Sequence, residues 1–478
     1  MPTPVSHWIG GAAVAAPDAT QRERTNPSQP DDLVTVLPIG TEAHVRAAVD
    51  AAASALPAWR GLTGPARADA IHRWGDAIAA RADELTGAIV LEVGKPIAEA
   101  RGEVGRAVAI CRFYAGEAVR DSGEVIPSQF GDALQFTVRD PLGVVALITP
   151  WNFPIAIPLW KAAPALAFGN AVVLKPSELS SGVAALLAET SAGILPPGVF
   201  NVVHGDGTTG AALVAHPTVH GVSFTGSAAV GASVRAAASA RGIPVQAEMG
   251  GKNAVVVLAD ADVRRAARLT AAGAFRFAGQ KCTATSRAIV VDAVRDAFVA
   301  ALTEEMQALP LGPVTDPVSA VGPLVTDTAL HRTQAALASH PAERLAGGTL
   351  PDDARWQVGH WMAPTVVAVE SAEHPLAQQE LFAPVLALLG AKDADHAIAL
   401  ANATPFGLSA SVFTRDLAAA LAWTRRIEVG LVRVNGDTTG VDPHAPFGGM
   451  KASGSGGREQ GRAARAFYTE SRTIQIHP

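Results

Sequence analysis

A chain of 478 residues exceeds one ordinary hydrophobic core, so two or three domains are expected. With 49% hydrophobic and 17% charged residues it is not a disordered chain, and a formal net charge of −6 without a basic run argues against nucleic acid as a partner. Only two cysteines occur, Cys111 and Cys282, which excludes a disulfide framework and fits a reducing compartment, so a cytoplasmic protein is expected.

No membrane partner is expected either. Met1 to Gly11 lacks the basic-then-apolar pattern of a signal peptide. The most apolar stretch, Val144 to Trp160, is interrupted by Thr149, Pro150, Asn152, Pro154 and Pro158, short of bilayer length.

Residues 41–120 read as helices. Thr41 is placed to cap a run with Val45, Ala48, Val49 and Ala52 on one face. Pro65 suits the first turn of the next, whose face carries Ile71, Trp74, Ile78 and Leu85. A further helix runs from Pro96 to about Val119 and holds Cys111, which packs there as a small hydrophobe. Residues 121–141 are more polar. Turns at Asp121-Ser122-Gly123 and Gly131-Asp132 mark a projecting hairpin of Glu124–Ile126 and Leu134–Arg139.

From Val144 the rhythm changes. Strands Val144–Ile148, Ala171–Leu174, Val199–Val203, Val219–Phe224 and Pro244–Ala247 alternate with helices Pro158–Phe168, Gly182–Ser191, Thr209–His216 and Ala228–Ala240. Near-continuously apolar strands alternating with helices indicate a parallel sheet covered on both faces, with ligands at the carboxyl ends of its strands. The alternation repeats after 250. Strand Ala254–Leu258 leads to a helix from Asp262 toward Cys282, then strand Arg287–Val291, helix Arg295–Leu309 and strands near Thr365–Val369 and Val385–Leu389. Helix Ala394–Ala403, strand Leu408–Phe413, helix Leu417–Ile427 and strand Leu431–Val434 follow. Pro446–Gly461 is a glycine-rich loop and Tyr468–His477 a closing strand. The expected fold class is α/β: two parallel-sheet domains plus a small β element.

The candidate chemistry centres on Cys282. It follows Gly279-Gln280-Lys281, where a helix ends and backbone N–H groups are free; such groups and an adjacent cation favour a thiolate. Without context, a lone cysteine is more often an inert buried thiol. The stretch Thr149-Pro150-Trp151-Asn152-Phe153-Pro154 leaves the first strand, stiffened by proline. Its Asn152 amide suits an oxyanion, and a turn asparagine fits equally. At the next strand end Lys175 and Glu178, around Pro176-Ser177, are placed to bond ribose hydroxyls or to stand as a solvated loop pair.

Gly205-Asp206-Gly207-Thr208-Thr209-Gly210 matches a dinucleotide glycine pattern but follows the third strand, so no pyrophosphate site is assigned to it. Thr225-Gly226-Ser227, opening a helix that contains Gly231, is better placed to receive phosphate. Glu248 ends a strand before Met249-Gly250-Gly251-Lys252. In a dry cleft it is a general base, otherwise a paired structural carboxylate. Glu380-Leu381-Phe382 sets a carboxylate beside an aromatic, and Phe447 stands in a glycine-rich loop suited to a mouth. Lysine is scarce, seven against thirty-one arginines, yet most lysines fall in Gly- or Pro-marked segments: Lys95, Lys175, Lys252, Lys281 and Lys451.

The segments PWNFP, LKPSE, FTGS, EMGGKN, FRFAGQKC, ELFAPV and PFGGMKASG, in this order, resemble the aldehyde dehydrogenase superfamily over essentially the whole chain. The resemblance implies a cofactor-binding domain of residues 1–120 and 142–250 and a catalytic domain of residues 251–450. It implies an oligomerisation hairpin and tail of residues 121–141 and 462–478, hence a homodimer or homotetramer. It implies NAD as cofactor with NADP as the alternative, no metal, and a small-molecule aldehyde as substrate. By motif position Cys282 is the nucleophile, Glu248 the general base and Asn152 the oxyanion donor. The implied cofactor contacts are Thr149, Pro150, Trp151, Lys175, Ser177, Glu178, Thr225, Gly226, Ser227, Gly231, Met249, Gly250, Glu380 and Phe382. Of these, Lys175 and Glu178 fall at the adenosine ribose, Ser227 at the pyrophosphate and Glu380 at the nicotinamide ribose. The implied reaction is oxidation of an aldehyde to a carboxylate through a cysteine thioester. Retention of Glu248 argues against the CoA-acylating branch. Phe277 stands where the family often has Asn, and Ala383 where glycine is usual; neither change removes a reacting group.

The implied substrate contacts are Phe153, Trp160, Arg276, Lys281, Thr283 and Phe447. Arg276, six residues before Cys282, matches the arginine with which succinate-semialdehyde dehydrogenases hold a distal carboxylate; Trp160 occupies the position of their second arginine. GQKCTATSR, with residues 429–435 and 440–449, looks most like 2-oxoglutarate-semialdehyde dehydrogenases. The expected substrate is therefore a small carboxylate-bearing semialdehyde, of 2-oxoglutarate or succinate. Alternatively, Phe153, Trp160, Phe277 and Phe447 make an apolar tunnel for an aromatic or aliphatic aldehyde. A non-catalytic binding protein on the same fold is disfavoured by the full set Cys282, Glu248 and Asn152.

Overall fold

The run Val144–Ile148 forms a strand with every residue buried, in the middle of an eight-stranded sheet. The strand order is Gly454–Ser455, Val245–Glu248, Gly221–Thr225, Val144–Ile148, Ala171–Lys175, Phe200–Val202, His7–Ile9 and Ala12–Val14. The inner strands are parallel and the edges antiparallel. From Val144–Ile148 the chain adds two strands on one side, then returns to add Gly221–Thr225 and Val245–Glu248 on the other. Such a reversal opens a crevice at the carboxyl edge of the sheet. The loops leaving Ile148 and Thr225 flank it. This structure is a computed structural model, and it describes residues 3–120 and 123–478; the expected turn residues Asp121 and Ser122 lie outside the described residues.

Four residues, Met249–Lys252, link the last parallel strand of this sheet to the first strand of a second one. The second sheet runs Glu343–Gly347, Thr365–Ala368, Val385–Ala391, Thr285–Val291, Asn253–Val257, Ser409–Phe413 and Leu431–Val434, parallel except for the first. The carboxyl edge of one sheet thus faces the amino edge of the other, and the short linker keeps Glu248 near the turn that precedes Thr285–Val291. A third sheet pairs Thr469–Ile476 antiparallel with Leu134–Pro141, from Thr469 opposite Pro141 to Ile476 opposite Leu134, and Val125–Ile126 extends it.

Buried aliphatic and aromatic residues fill both faces of the first sheet and surround the second. Helix Ala156–Ala167 is buried along its whole length and carries one cation, Lys161. No helix among the described residues is long and apolar enough to cross a membrane.

Four features depart from the sequence expectation. Leu85, expected on the helix of Ile71, Trp74 and Ile78, lies on a separate helix, Ala82–Val93, because the chain breaks at Arg81. The segment before residue 41 forms short strands, of which Gln21–Asn26 and Gln29–Pro38 make a hairpin. Helix Asp327–Ser339 and strand Glu343–Gly347 were not expected; the helix buries only Thr333 and the strand is an edge without a buried residue, so neither carries an apolar period. The helix expected to run toward Cys282 stops at Phe275.

Candidate active site

Asp262 caps the helix Val263–Phe275 by accepting the Arg265 N–H at 3.1 Å. Beyond the helix, Phe277, Ala278 and Gly279 are all left-handed, with φ of +53°, +52° and +68°. Phe and Ala are strained in that region, where Asn is tolerated. Phe277 offsets the strain by complete burial, its ring edge-on to Trp151 at 6.3 Å. Gly279 has no substitute, because a Cβ there would lie 2.6 Å from the Ala383 carbonyl oxygen. The turn delivers Lys281-Cys282-Thr283 to the start of strand Thr285–Val291. The Asn253 amide donates to the carbonyls of Cys282 and Ala284, each at 2.8 Å, and holds the turn down.

The electrostatics at Cys282 differ from the thiolate expected. Burial, then the carboxylates of Glu380 and Glu248, push its thiol up to about 12; the N–H groups of Thr283 and Cys282 act in the opposite sense. The neighbouring cation does not activate it, since Lys281 Nζ is bonded to Glu99 Oε2 at 2.8 Å. The resting side chain is a thiol. Cys111 is fully buried and likewise pushed up to about 12.

Two cavities meet at Cys282. The first, about 370 Å³, is the crevice foreseen from strand order, lined by Pro150, Trp151 and Asn152 from one loop and Thr225, Gly226 and Ser227 from the other. Met249, Gly250, Glu380 and Phe382 complete it. The Asn152 amide donates to the Gln280 carbonyl at 3.1 Å, so it stands beside the Cys282 turn. The hydroxyl of Thr225, which lines the crevice, is buried without a partner. Ser227 caps helix Ala228–Ala240, whose amino end faces the crevice. Glu380 Oε1 accepts the Gly251 N–H at 3.0 Å, and a Cβ on Gly250 would meet Glu380 Oε2 at 1.8 Å. An unsatisfied hydroxyl, a helix amino terminus and side-chain-free backbone fit a nicotinamide dinucleotide.

Thr149, Lys175, Ser177, Glu178 and Gly231 do not line this crevice. Lys175 Nζ lies 3.4 Å from the Asp206 carbonyl and 3.9 Å from Glu178. Ser177 caps the turn Glu178–Ser180. Gly231 acts by packing, because a Cβ would stand 2.6 Å from Met249 Sδ. Arg22, which no sequence pattern marked, lies 3.8 Å from Glu178 and 3.4 Å from Asp206.

Glu248 lines neither cavity. It is 1% exposed beneath the glycine-rich loop, with Oε2 accepting the Gly449 N–H at 3.1 Å and Oε1 unpartnered. Gly448 is what admits it, since a Cβ there would sit 2.5 Å from Oε1. Burial and then the nearby Glu459 raise the Glu248 pKa well above the carboxylate range, against the pull of Lys161. Glu459 accepts from Lys161 Nζ, which also donates to Ser223 at 2.8 Å. Lys161 and Glu459 escaped sequence reading, although a lysine inside an apolar helix was a signal.

The second cavity, about 480 Å³, brings together all six expected substrate contacts: Phe153, Trp160, Arg276, Lys281, Thr283 and Phe447. Trp160 and Phe447 stack at a tilt with centroids 5.5 Å apart. Arg276 caps the helix from outside and is exposed. Helix Ile97–Glu117 adds Glu99, Glu103 and Arg106, and the opposite wall is Pro317–Ala320 and Thr439–Val441.

That helix also supports the Asn152 loop. Lys95 Nζ donates to Glu103 Oε2 and to the Asn152 carbonyl, both at 2.5 Å, and sits 3.9 Å from the Phe153 ring centre and 4.6 Å from that of Phe277. Glu103 Oε1 accepts the N–H groups of Ile155 at 2.9 Å and Ala156 at 3.1 Å. The placement of Lys95 between Gly94 and Pro96 was the only sequence hint of this role.

Comparison with known proteins adds three findings. The model described as "Aldehyde dehydrogenase family" matches residues 14–474. The chain is 41% identical over 477 residues to the alpha-ketoglutaric semialdehyde dehydrogenase of Bacillus subtilis, covering 99% of this chain and 98% of that one. It is 40% identical to the alpha-ketoglutarate semialdehyde dehydrogenase of Haloferax volcanii, covering 99% of each. The crystal structure of an NAD-dependent aldehyde dehydrogenase from Sinorhizobium meliloti superposes with a TM-score of 0.94 at 37% identity, covering 100% of this chain and 95% of that one.

Proposed function

The chain belongs to the aldehyde dehydrogenase family and is an NAD(P)-dependent aldehyde dehydrogenase, and we propose that it oxidises a small carboxylate-bearing semialdehyde, that of 2-oxoglutarate foremost, to the dicarboxylate. One observation carries the site assignment: among the described residues, Cys282 alone lines both the crevice at the carboxyl edge of the first sheet and the cavity on its other side. A nucleophile at that junction touches an aldehyde from one side and a hydride acceptor from the other.

In this reading the Cys282 thiol gives its proton to water in the second cavity, and the thiolate adds to the aldehyde carbon. The Asn152 amide and the Cys282 N–H stabilise the oxyanion. NAD, held in the crevice by residues 150–152 and 225–227 and by Glu380, would supply hydride acceptance when bound. The acyl group stays on Cys282 as a thioester. Glu248, swung from Gly449 toward Cys282, takes a proton from the water that releases the carboxylate. Its raised pKa makes it a stronger base than an exposed carboxylate. Lys95 and Glu103 hold the Asn152 loop in place throughout.

The two named relatives and the guanidinium groups of Arg276 and Arg106 at the second cavity support the semialdehyde reading. Residues 1–120 and 142–250 are assigned to cofactor binding and 251–450 to catalysis. The sheet of 125–126, 134–141 and 469–476 exposes Val125, Leu134 and Ile476, which supports its use in a homo-oligomer. A cytoplasmic location fits the two reduced cysteines. An aldehyde panel, with and without a terminal carboxylate and with both cofactors, tests the substrate: the highest kcat/KM is expected for the semialdehydes, and a preference for neutral aldehydes would overturn the proposal.

A further inference from the structure

The glycine-rich loop that covers Glu248 is closed by two residues at its far end. Phe447 and Glu459 exchange both of their backbone hydrogen bonds, at 2.7 and 2.6 Å. The Glu459 carboxylate takes Lys161 Nζ. The neighbouring Arg458 reaches back across the loop, and its Nη1 donates to the Gly449 carbonyl. The same Gly449 offers its N–H to Glu248 Oε2 at 3.1 Å. Gly449 is thus held by Arg458 through its carbonyl and holds Glu248 through its N–H.

Packing brings Arg458 and Glu248 together as well. A Cβ on Gly448 would lie 2.5 Å from Glu248 Oε1 and 2.9 Å from Arg458 Cδ, so both side chains fill the space that this glycine leaves open. The charged and titratable groups that act on Glu248 are Glu459, Lys161, Arg458 and Cys282. Lys161 is committed to Glu459 and to Ser223, the latter at 2.8 Å. Arg458 stands in no ion pair among the described residues and spends its hydrogen bond on the Gly449 carbonyl. With Glu248 ionised, two carboxylates and two cations balance. Without Arg458, ionised Glu248 and Glu459 would share one ammonium, which a buried site resists.

We propose that Arg458 is a positioning residue for the general base: by gripping the Gly449 peptide it fixes the resting seat of Glu248, and its charge offsets that of the ionised carboxylate. This rests on the reading of Glu248 as the base and deepens it. Arg458 lines neither cavity, so it acts on water activation and not on the binding of aldehyde or cofactor. Burial and Glu459 raise the Glu248 pKa; the Gly449 N–H, Lys161 and Arg458 pull it down. Loss of the Arg458 charge therefore moves ionisation of Glu248 to still higher pH. Only the ionised form accepts a proton, so deacylation follows that shift upward.

The test follows oxidation of succinate semialdehyde with NAD as a function of pH in the wild type, Arg458→Met and Arg458→Lys. Hydride transfer is read as the burst of reduced cofactor, and deacylation as release of succinate after rapid quenching. For Arg458→Met the midpoint of the deacylation profile is expected to rise by roughly 0.5–1 pH unit, the effect of one nearby charge under solvent screening, so that below the midpoint deacylation falls about three- to tenfold. The burst rate, the limiting deacylation rate at high pH and the KM values are expected to stay at wild-type values. Arg458→Lys keeps the charge and is expected to restore most of the midpoint. An unchanged midpoint in Arg458→Met would overturn the inference. So would equal losses of burst and deacylation at every pH, which would make Arg458 structural. A lysine variant with the profile of Arg458→Met would overturn the role of the charge. Failure of the underlying reading shows separately: wild-type turnover in Glu248→Gln removes Glu248 as the base, whatever the Arg458 variants do.

Discussion

Replacing Lys95 by Met tests whether the oxyanion loop is positioned by a buried ion pair. The Lys95 and Glu103 side chains are both fully buried, so the substitution strands an uncompensated carboxylate. Breaking a buried pair in this way costs about 3–5 kcal/mol. For a cooperative unit of 150–250 residues, at about 2–4 °C per kcal/mol, Tm falls by about 6–20 °C. The Asn152 carbonyl also loses its donor at 2.5 Å and Phe153 loses the cation over its ring. A displacement of about 1 Å at a reacting group costs about 10²-fold in rate, so kcat is expected to fall by up to that factor. Adding Glu103→Gln removes the stranded charge and keeps an acceptor for the N–H groups of Ile155 and Ala156. The double variant should therefore regain most of the Tm but little of the rate. The assays are thermal unfolding and rapid-mixing measurement of the hydride step. If Lys95→Met keeps its Tm within about 1 °C, or if rate and Tm recover together in the double variant, the positioning argument is wrong.

Cys282→Ser should abolish oxidation while cofactor binding persists, and Cys111→Ser should keep activity; exchanged outcomes would move the nucleophile. Because the free thiol is pushed up to about 12, alkylation of Cys282 without cofactor should rise about tenfold per pH unit to at least pH 10; a plateau below pH 9 would contradict the resting thiol. Glu248→Gln should give a burst of reduced cofactor followed by slow turnover. In the wild type, deacylation should accelerate as pH rises through the raised pKa of Glu248, since only its ionised form accepts a proton; wild-type steady turnover in Glu248→Gln would eliminate it as the base. NAD should be preferred over NADP because Glu178 repels a 2′-phosphate, and Arg22→Ala should lower kcat/KM with NADP by about two- to fivefold more than with NAD, the scale of a partly exposed ion pair. Equal effects on both cofactors would remove Arg22 from the ribose site.

Local pattern determined a large part of this molecule. Short β-branched apolar runs such as Val144–Ile148 fit strands covered on both faces, and their alternation with helices points to a parallel sheet with its ligand crevice at the carboxyl edge. Glycines and prolines around Asn152, Glu248 and Cys282 marked the loops between those elements, because positive φ and close approach leave local traces. Tertiary structure alone decided the rest. The protonation of Cys282 depends on burial and on carboxylates from distant segments, which outweigh the lysine next to it in sequence. Arg106 was invisible as a lining residue of the second cavity because the facing wall comes from residues 317–320 and 439–441, more than two hundred positions away. Lys161 and Glu459 meet across 298 residues. Periodicity registers which face of a helix is apolar, but which charges face each other across a cavity is set by how the two sheets stack, and that depends on packing over the whole chain.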